Sequence, residues 1–87
     1  RTVYVSGQVA LDATGQLVGR DDFEAQTHQV FANLRAALAA AGATFAHVVK
    51  TTYYLRDASR VAALREIRSG YFTGPLPAST LIEVPQL

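Results

Sequence analysis

The side chains able to do chemistry are few and scattered. Two histidines, His28 and His47, stand nineteen positions apart, and neither has beside it a serine or carboxylate suited to a hydrolytic triad. Both are read as surface histidines. The chain has no cysteine, which removes thiol catalysis, disulfides and thiolate-bound metals, and the histidine spacing is not one that holds zinc. Ser79 and Thr80 offer two hydroxyls to a neutral or charged ligand, although short polar residues at the start of a strand also bond to nearby backbone. Glu83 lies on the strand face opposite Ile82 and Val84. It suits solvent, acid chemistry, or pairing with an arginine across a subunit contact, and the last is the favoured reading. Tyr71 carries a phenol, yet it recurs with Leu64 and Ile67 at helical spacing, which makes it first a core aromatic whose hydroxyl reaches the surface.

The frame that must position these groups is small. Eighty-seven residues leave room for one core, so a single domain over 1–87 is expected. A hydrophobic fraction of 49% against 17% charged residues excludes intrinsic disorder. A domain of this length buries roughly 60–65% of its unfolded surface, so self-association is a natural supplement to its stability. Eight basic and seven acidic side chains give a net charge of +1 with one lysine, Lys50, and no run of like charge. That balance argues against nucleic acid and membrane surfaces as partners. No apolar stretch approaches the ~20 residues that span a bilayer, and no signal peptide follows Arg1, so a cytoplasmic protein is expected. The sequence starts without methionine and stops while a strand is still running, so both ends are expected to be incomplete.

Thr2 to Leu11 alternates as a half-buried strand does, with Gly7 marking a bulge or a close backbone approach. Asp12-Ala13-Thr14-Gly15 is turn chemistry, returning through Gln16 to Val18 as a short hairpin arm or a loop. Asp21, Asp22 and Glu24 start a helix, with Asp21 as the cap. The helix runs to about Ala41, where Gly42 ends it. Its apolar stripe is Val30, Leu34, Leu38 and Ala41, widened by Phe31. Val48 to Arg56 is the strongest strand, with Val49, Thr51, Tyr53 and Leu55 on one face. Asp57 or Ser59 caps a second helix whose stripe is Val61, Leu64, Ile67 or Arg68, and Tyr71, leaving Arg60 and Arg65 outward. Gly74-Pro75-Leu76-Pro77 is a stiff connector, and Ala78 to Val84 a further strand. The order implies an α+β fold, with two helices on one face of a mixed sheet whose other face needs cover.

Four stretches in this order carry a resemblance: VYVSGQVAL at 3–11, Gln26, Gln29, Asn33 and Ala41-Gly42 in the long helix, VVKTTYYLRD at 48–57, and LPASTLIEV at 76–84. Together they resemble the Rid (YjgF-like) family over nearly the whole chain. The resemblance implies a chorismate-mutase-like fold assembled as a homotrimer, its sheets facing a central barrel and its ligand clefts lying between subunits. It implies hydrolysis of 2-imino acids to 2-keto acids and ammonia, with no cofactor and no metal.

That chemistry needs an arginine to hold the substrate carboxylate and an acid to orient water at the imine carbon. The family arginine follows Pro-Ala, where this sequence reads Pro77-Ala78-Ser79-Thr80, so Ser79 replaces it. The catalytic glutamate belongs to a strand expected after Leu87. The segment from Thr73 to Leu76 looks about three residues shorter than in the imine deaminases, and that loop helps line the family cleft. A serine cannot substitute for a guanidinium on a buried carboxylate, because losing one side of such a pair costs about 3–5 kcal/mol. The resemblance makes Ser6, Gly7, Tyr71, Ser79, Thr80 and Leu81 candidate substrate-binding residues. It places Arg65 where the family has a pocket asparagine, so that a relocated arginine could supply the missing charge. A binding module without catalysis is the alternative, and RNA cleavage, ascribed to some relatives, is the weakest reading.

Overall fold

The computed structural model describes residues 2–20, 22–74 and 76–85. They fall into two compact units, Arg1–Phe45 and Ala46–Leu87.

In the first unit the strand expected over Thr2 to Leu11 does not form. Thr2 to Gly7 are exposed and lack regular structure, and the one bridge here pairs Leu11 with Leu17 antiparallel. Alternation prepares a segment for a sheet, but a strand exists only where neighbouring backbone takes up its N–H and C=O groups. Among the described residues no strand does so. Gly7 likewise shows no close approach, since a Cβ placed on it would meet nothing within 4 Å.

The turn is as the residues require. Asp12 Oδ1 accepts from Thr14 N at 2.9 Å, Thr14 Oγ1 at 2.7 Å and Gln16 N at 3.0 Å, while Gly15 takes φ +82°. The return arm is held by Asp12 N donating to Gln16 O and Val18 N donating to Ala10 O.

Helix α1 spans Phe23–Ala40, with Asp22 as its cap, accepting from Ala25 N at 3.1 Å. Asp21, the expected cap, lies outside the described residues. Gly19 precedes the helix at φ +67°, where a Cβ would come within 2.8 Å of Ala25 Cβ, so the chain enters α1 by a path that only glycine permits. At the other end Ala43 N donates to Leu38 O and Gly42 N to Ala39 O with Gly42 at φ +76°, a Schellman closure. The buried residues are Thr27, Phe31 and Leu38, so the inward face is rotated toward Thr27 and Phe31, with Val30, Leu34 and Ala41 half-buried at its border. Phe31 meets Phe45 edge to face at 6.3 Å between centroids, and the Arg35 guanidinium lies 5.5 Å from the Phe45 centroid.

The second unit is a strand–helix–strand crossover. Strand β1, Lys50–Leu55, pairs in parallel with β2, Ala78–Glu83, in the register Lys50 to Ala78 through Leu55 to Glu83. The described sheet is therefore two-stranded and parallel, not mixed. Parallel strands need a long return path, supplied here by a 3-10 turn, Ala58–Arg60, and helix α2, Val61–Ser69. Asp57 caps the turn by accepting from Ser59 N. Leu64 and Phe72 are the most buried residues of this unit, at 4% and 5% exposed. On β1, Thr51, Tyr53 and Leu55 are half-buried and Lys50, Thr52 and Tyr54 exposed, the alternation expected of this strand. The two helices and the α+β composition agree with the sequence reading. No helix among the described residues is long and apolar enough to cross a membrane.

Candidate functional site

Candidate residues occur in both units. In the first, an open groove of about 530 Å³ is lined by Gly7, Gln8, Val9, Asp12, Gln29 and Asn33 among others. Asn33 organises it. Its Nδ2 donates to Val9 O at 2.9 Å and Leu11 O at 2.8 Å, and its Oδ1 accepts from Gln29 Nε2 at 2.8 Å. One amide from α1 thus holds two carbonyls of a segment that forms no strand among the described residues, the structural task of the helix motif residues Gln29 and Asn33. Ser6, the sequence candidate before Gly7, is exposed, and its carbonyl accepts from Gln8 Nε2 at 3.1 Å. Hydrogen bonds from Thr14 and from the backbone of Gln16 hold the Asp12 carboxyl below its ordinary value of 3.8.

In the second unit, Ser79, Thr80 and Leu81 stand in line on β2, opposite Thr51, Thr52 and Tyr53. The pleat sends neighbours to opposite faces, so it separates the two hydroxyls that the sequence set side by side. Ser79 and Leu81 share the face of half-buried Thr51 and Tyr53. Thr80 lies on the open face, where its Oγ1 accepts from Lys50 Nζ. Arg65 is exposed on α2, and Tyr71 follows the helix half-buried. Ser79 and Thr80 are exposed, as is the whole of β2.

Glu83 has a specific task that the sequence did not reveal. Its Oε1 accepts from Ala58 N at 3.0 Å, tying the end of β2 to the first residue of the crossover. Beside it the Asp57 carboxyl is held low, chiefly by the Ser59 hydroxyl and also by the Ser59 backbone and the charge of Arg60. Two carboxylates therefore receive the first N–H groups of the turn that leads into α2.

Thr51 Oγ1 and Arg68 Nε in this unit are buried with no hydrogen-bond partner among the described residues. Sequence reasoning missed both as site residues. The available signal was Arg68 itself, a cation at four-residue spacing between Leu64 and Phe72. His28 and His47 are exposed, and no group of three or more histidine or acidic side chains able to hold a metal occurs among the described residues.

A long capped helix in one unit and a parallel strand pair closed by a helical crossover in the other define a small α+β protein with polar candidates in both units. The family model described as Endoribonuclease L-PSP matches residues 1–87, and the chain belongs to that family, the Rid/YjgF family its motifs resemble. It is 44% identical over 88 residues to the 2-iminobutanoate/2-iminopropanoate deaminase of Mus musculus, covering 100% of this chain and 64% of the mouse protein. Protein DfrA of Myxococcus xanthus is 38% identical, with 100% of this chain and 66% of DfrA covered. Among solved structures, RidA from an Antarctic Psychrobacter superposes with TM-score 0.89 at 39% identity, over 97% of this chain and 68% of that one. The Rid-family protein YyfB of Yersinia pestis gives 0.91 at 41%, over 100% and 68%. The chain thus spans about two thirds of the length of these relatives, slightly less for the mouse deaminase.

Proposed function

We propose that this protein is an imine deaminase relative that binds and hydrolyses small 2-imino acids in clefts between the subunits of a homotrimer, without cofactor or metal. The carrying observation is the 44% identity to the mouse deaminase across the full chain. In the reaction, water adds to the C=N carbon, the nitrogen takes a proton, and the C–N bond breaks to leave a 2-keto acid and ammonia. The protein must hold the carboxylate of the substrate and orient the water.

Ser79 supports a second reading, in which the trimer keeps the cleft to bind a metabolite and no longer turns it over. At this position the family pattern has an arginine that grips carboxylate through two parallel hydrogen bonds, and a serine hydroxyl replaces neither its charge nor its fork. RNA cleavage, the activity in the family description, has little support in a chain of net charge +1.

The deciding experiment follows ammonia and 2-keto acid released from freshly generated 2-iminopropionate by the full-length protein, against buffer and against Ser79→Arg. Release above buffer by the native protein is expected. A silent native protein whose Ser79→Arg variant turns over would establish the binding-only reading, and silence from both would remove imine hydrolysis altogether. Light scattering checks the trimer separately, and a monomer would undo the intersubunit cleft.

A further inference from the structure

Arg68 occupies a position where arginine is out of place. On α2 and its continuation, Leu64, Arg68 and Phe72 follow at four-residue spacing, and Phe72 N still donates to Arg68 O at 2.9 Å, so the row stays helical. The two outer members are the most buried residues of the unit. The middle one is a half-buried arginine whose Nε is buried with no hydrogen-bond partner among the described residues. Long cations on a helix ordinarily send the charged head to water, and a buried donor without a partner in a native protein calls for a missing acceptor.

The acceptor's chemistry follows from its surroundings. A helix joining two parallel strands lays its buried row on one face of that pair. The half-buried face here belongs to Thr51, the register partner of Ser79, and Thr51 Oγ1 is likewise buried with no hydrogen-bond partner among the described residues. A guanidinium edge accompanied by hydroxyls suits a small carboxylate, which presents two acceptor oxygens to paired N–H groups. We propose that Arg68 is the carboxylate-binding arginine of this protein, in place of the arginine that Ser79 displaced. This rests on the deaminase or binding reading above and names the group that anchors its ligand. Arg65, the relocated arginine suggested by sequence, is exposed on the same helix.

The test uses full-length protein and two probes, pyruvate and its neutral amide, pyruvamide, titrated by calorimetry. Arg68→Met preserves stem volume and removes the charge. It is expected to weaken pyruvate binding on the order of 100-fold while leaving pyruvamide unchanged, with Arg68→Lys recovering part of the loss. Unchanged pyruvate affinity in a folded Arg68→Met protein, or no pyruvate binding by the native protein, overturns the inference.

Should Arg68→Met not fold, the native protein answers by NMR. The Arg68 Nε–H resonance, assigned through its loss in Arg68→Lys, is expected to shift with pyruvate and stay in place with pyruvamide. A resonance indifferent to saturating pyruvate overturns the assignment. Failure of the deaminase reading is distinguishable, because imine turnover with an unchanged KM in Arg68→Met would reject Arg68 alone. Absent turnover together with Arg68-dependent pyruvate binding would reject catalysis alone.

Discussion

Residues 2–11 and strand β1 make an instructive pair, since both read as alternating strands. Only β1 is one. Its six residues face six of β2 in register, and the side chains of Thr51, Tyr53 and Leu55 are half-buried. The earlier segment leaves Val3, Tyr4 and Val5 at 45%, 92% and 37% exposed, and its firmest attachment is the Asn33 amide on the carbonyls of Val9 and Leu11. Alternation states which face a strand would bury, whereas pairing decides whether there is a strand.

The contrast is broken most severely at the layer that supports β1. Leu64→Ala should cost about 2–5 kcal/mol in denaturant melts, because a nearly buried leucine leaves a cavity in its unit. Val5→Ala should change stability by no more than about 0.5 kcal/mol, in keeping with exposed positions. Equal losses from the two variants would mean that the amino-terminal segment is packed as firmly as the crossover.

Asn33→Ala comes next. It strips the hydrogen bonds that hold two carbonyls, and about 1–3 kcal/mol of stability should go with them. Amide exchange should accelerate around Val9 to Leu11 while the β1 amides keep their protection, and uniform acceleration would contradict the separate anchoring of the two regions.

A smaller loss, about 0.5–1.5 kcal/mol, is expected from Glu83→Ala, which deprives Ala58 N of its acceptor at the end of the β1 and β2 pair. Glu83→Gln keeps an acceptor oxygen and should recover most of it. If the two variants melt alike, the bond to Ala58 contributes nothing.

The least effect belongs to the two turn carboxylates, Asp12 and Asp57, one in each unit. Both are held below the ordinary 3.8, so below that pH the unfolded chain binds more protons than the folded one. Their stabilisation is complete above about pH 3.8 and disappears as pH falls through the lower folded values. Melting temperatures measured from pH 5 to 2 should therefore fall less steeply in Asp12→Asn and Asp57→Asn, and a native-like acid slope in both would remove these groups as its source.

Legibility in the sequence followed the range of each interaction. The Asp12 turn, the α1 closure at Gly42, the Asp57 cap and the β1 alternation each depend on residues within about five positions, and all were readable. The α1 stripe was displaced because the partner of Phe31 is Phe45, fourteen positions on and outside the helix. Of the candidate site, Ser79 and Thr80 were legible only as neighbouring hydroxyls in a short motif, because a motif is itself local. The separation of Ser79 from Thr80 required the register with β1, and the Glu83 bond to Ala58 spans 25 positions.

Sequence alone determined the family, the two helices, the closure of α1 at Gly42, the principal turn and the absence of cysteine chemistry. Each of these is set by residue type and short spacing, through dihedral preference and bonds that close within one turn. Tertiary structure decided which alternating segment became a strand, which carboxylate tied the crossover to the sheet, and which arginine was drawn into the buried row of α2. Pairing, burial and desolvation are properties of groups brought together from distant parts of the chain, and no single segment contains them.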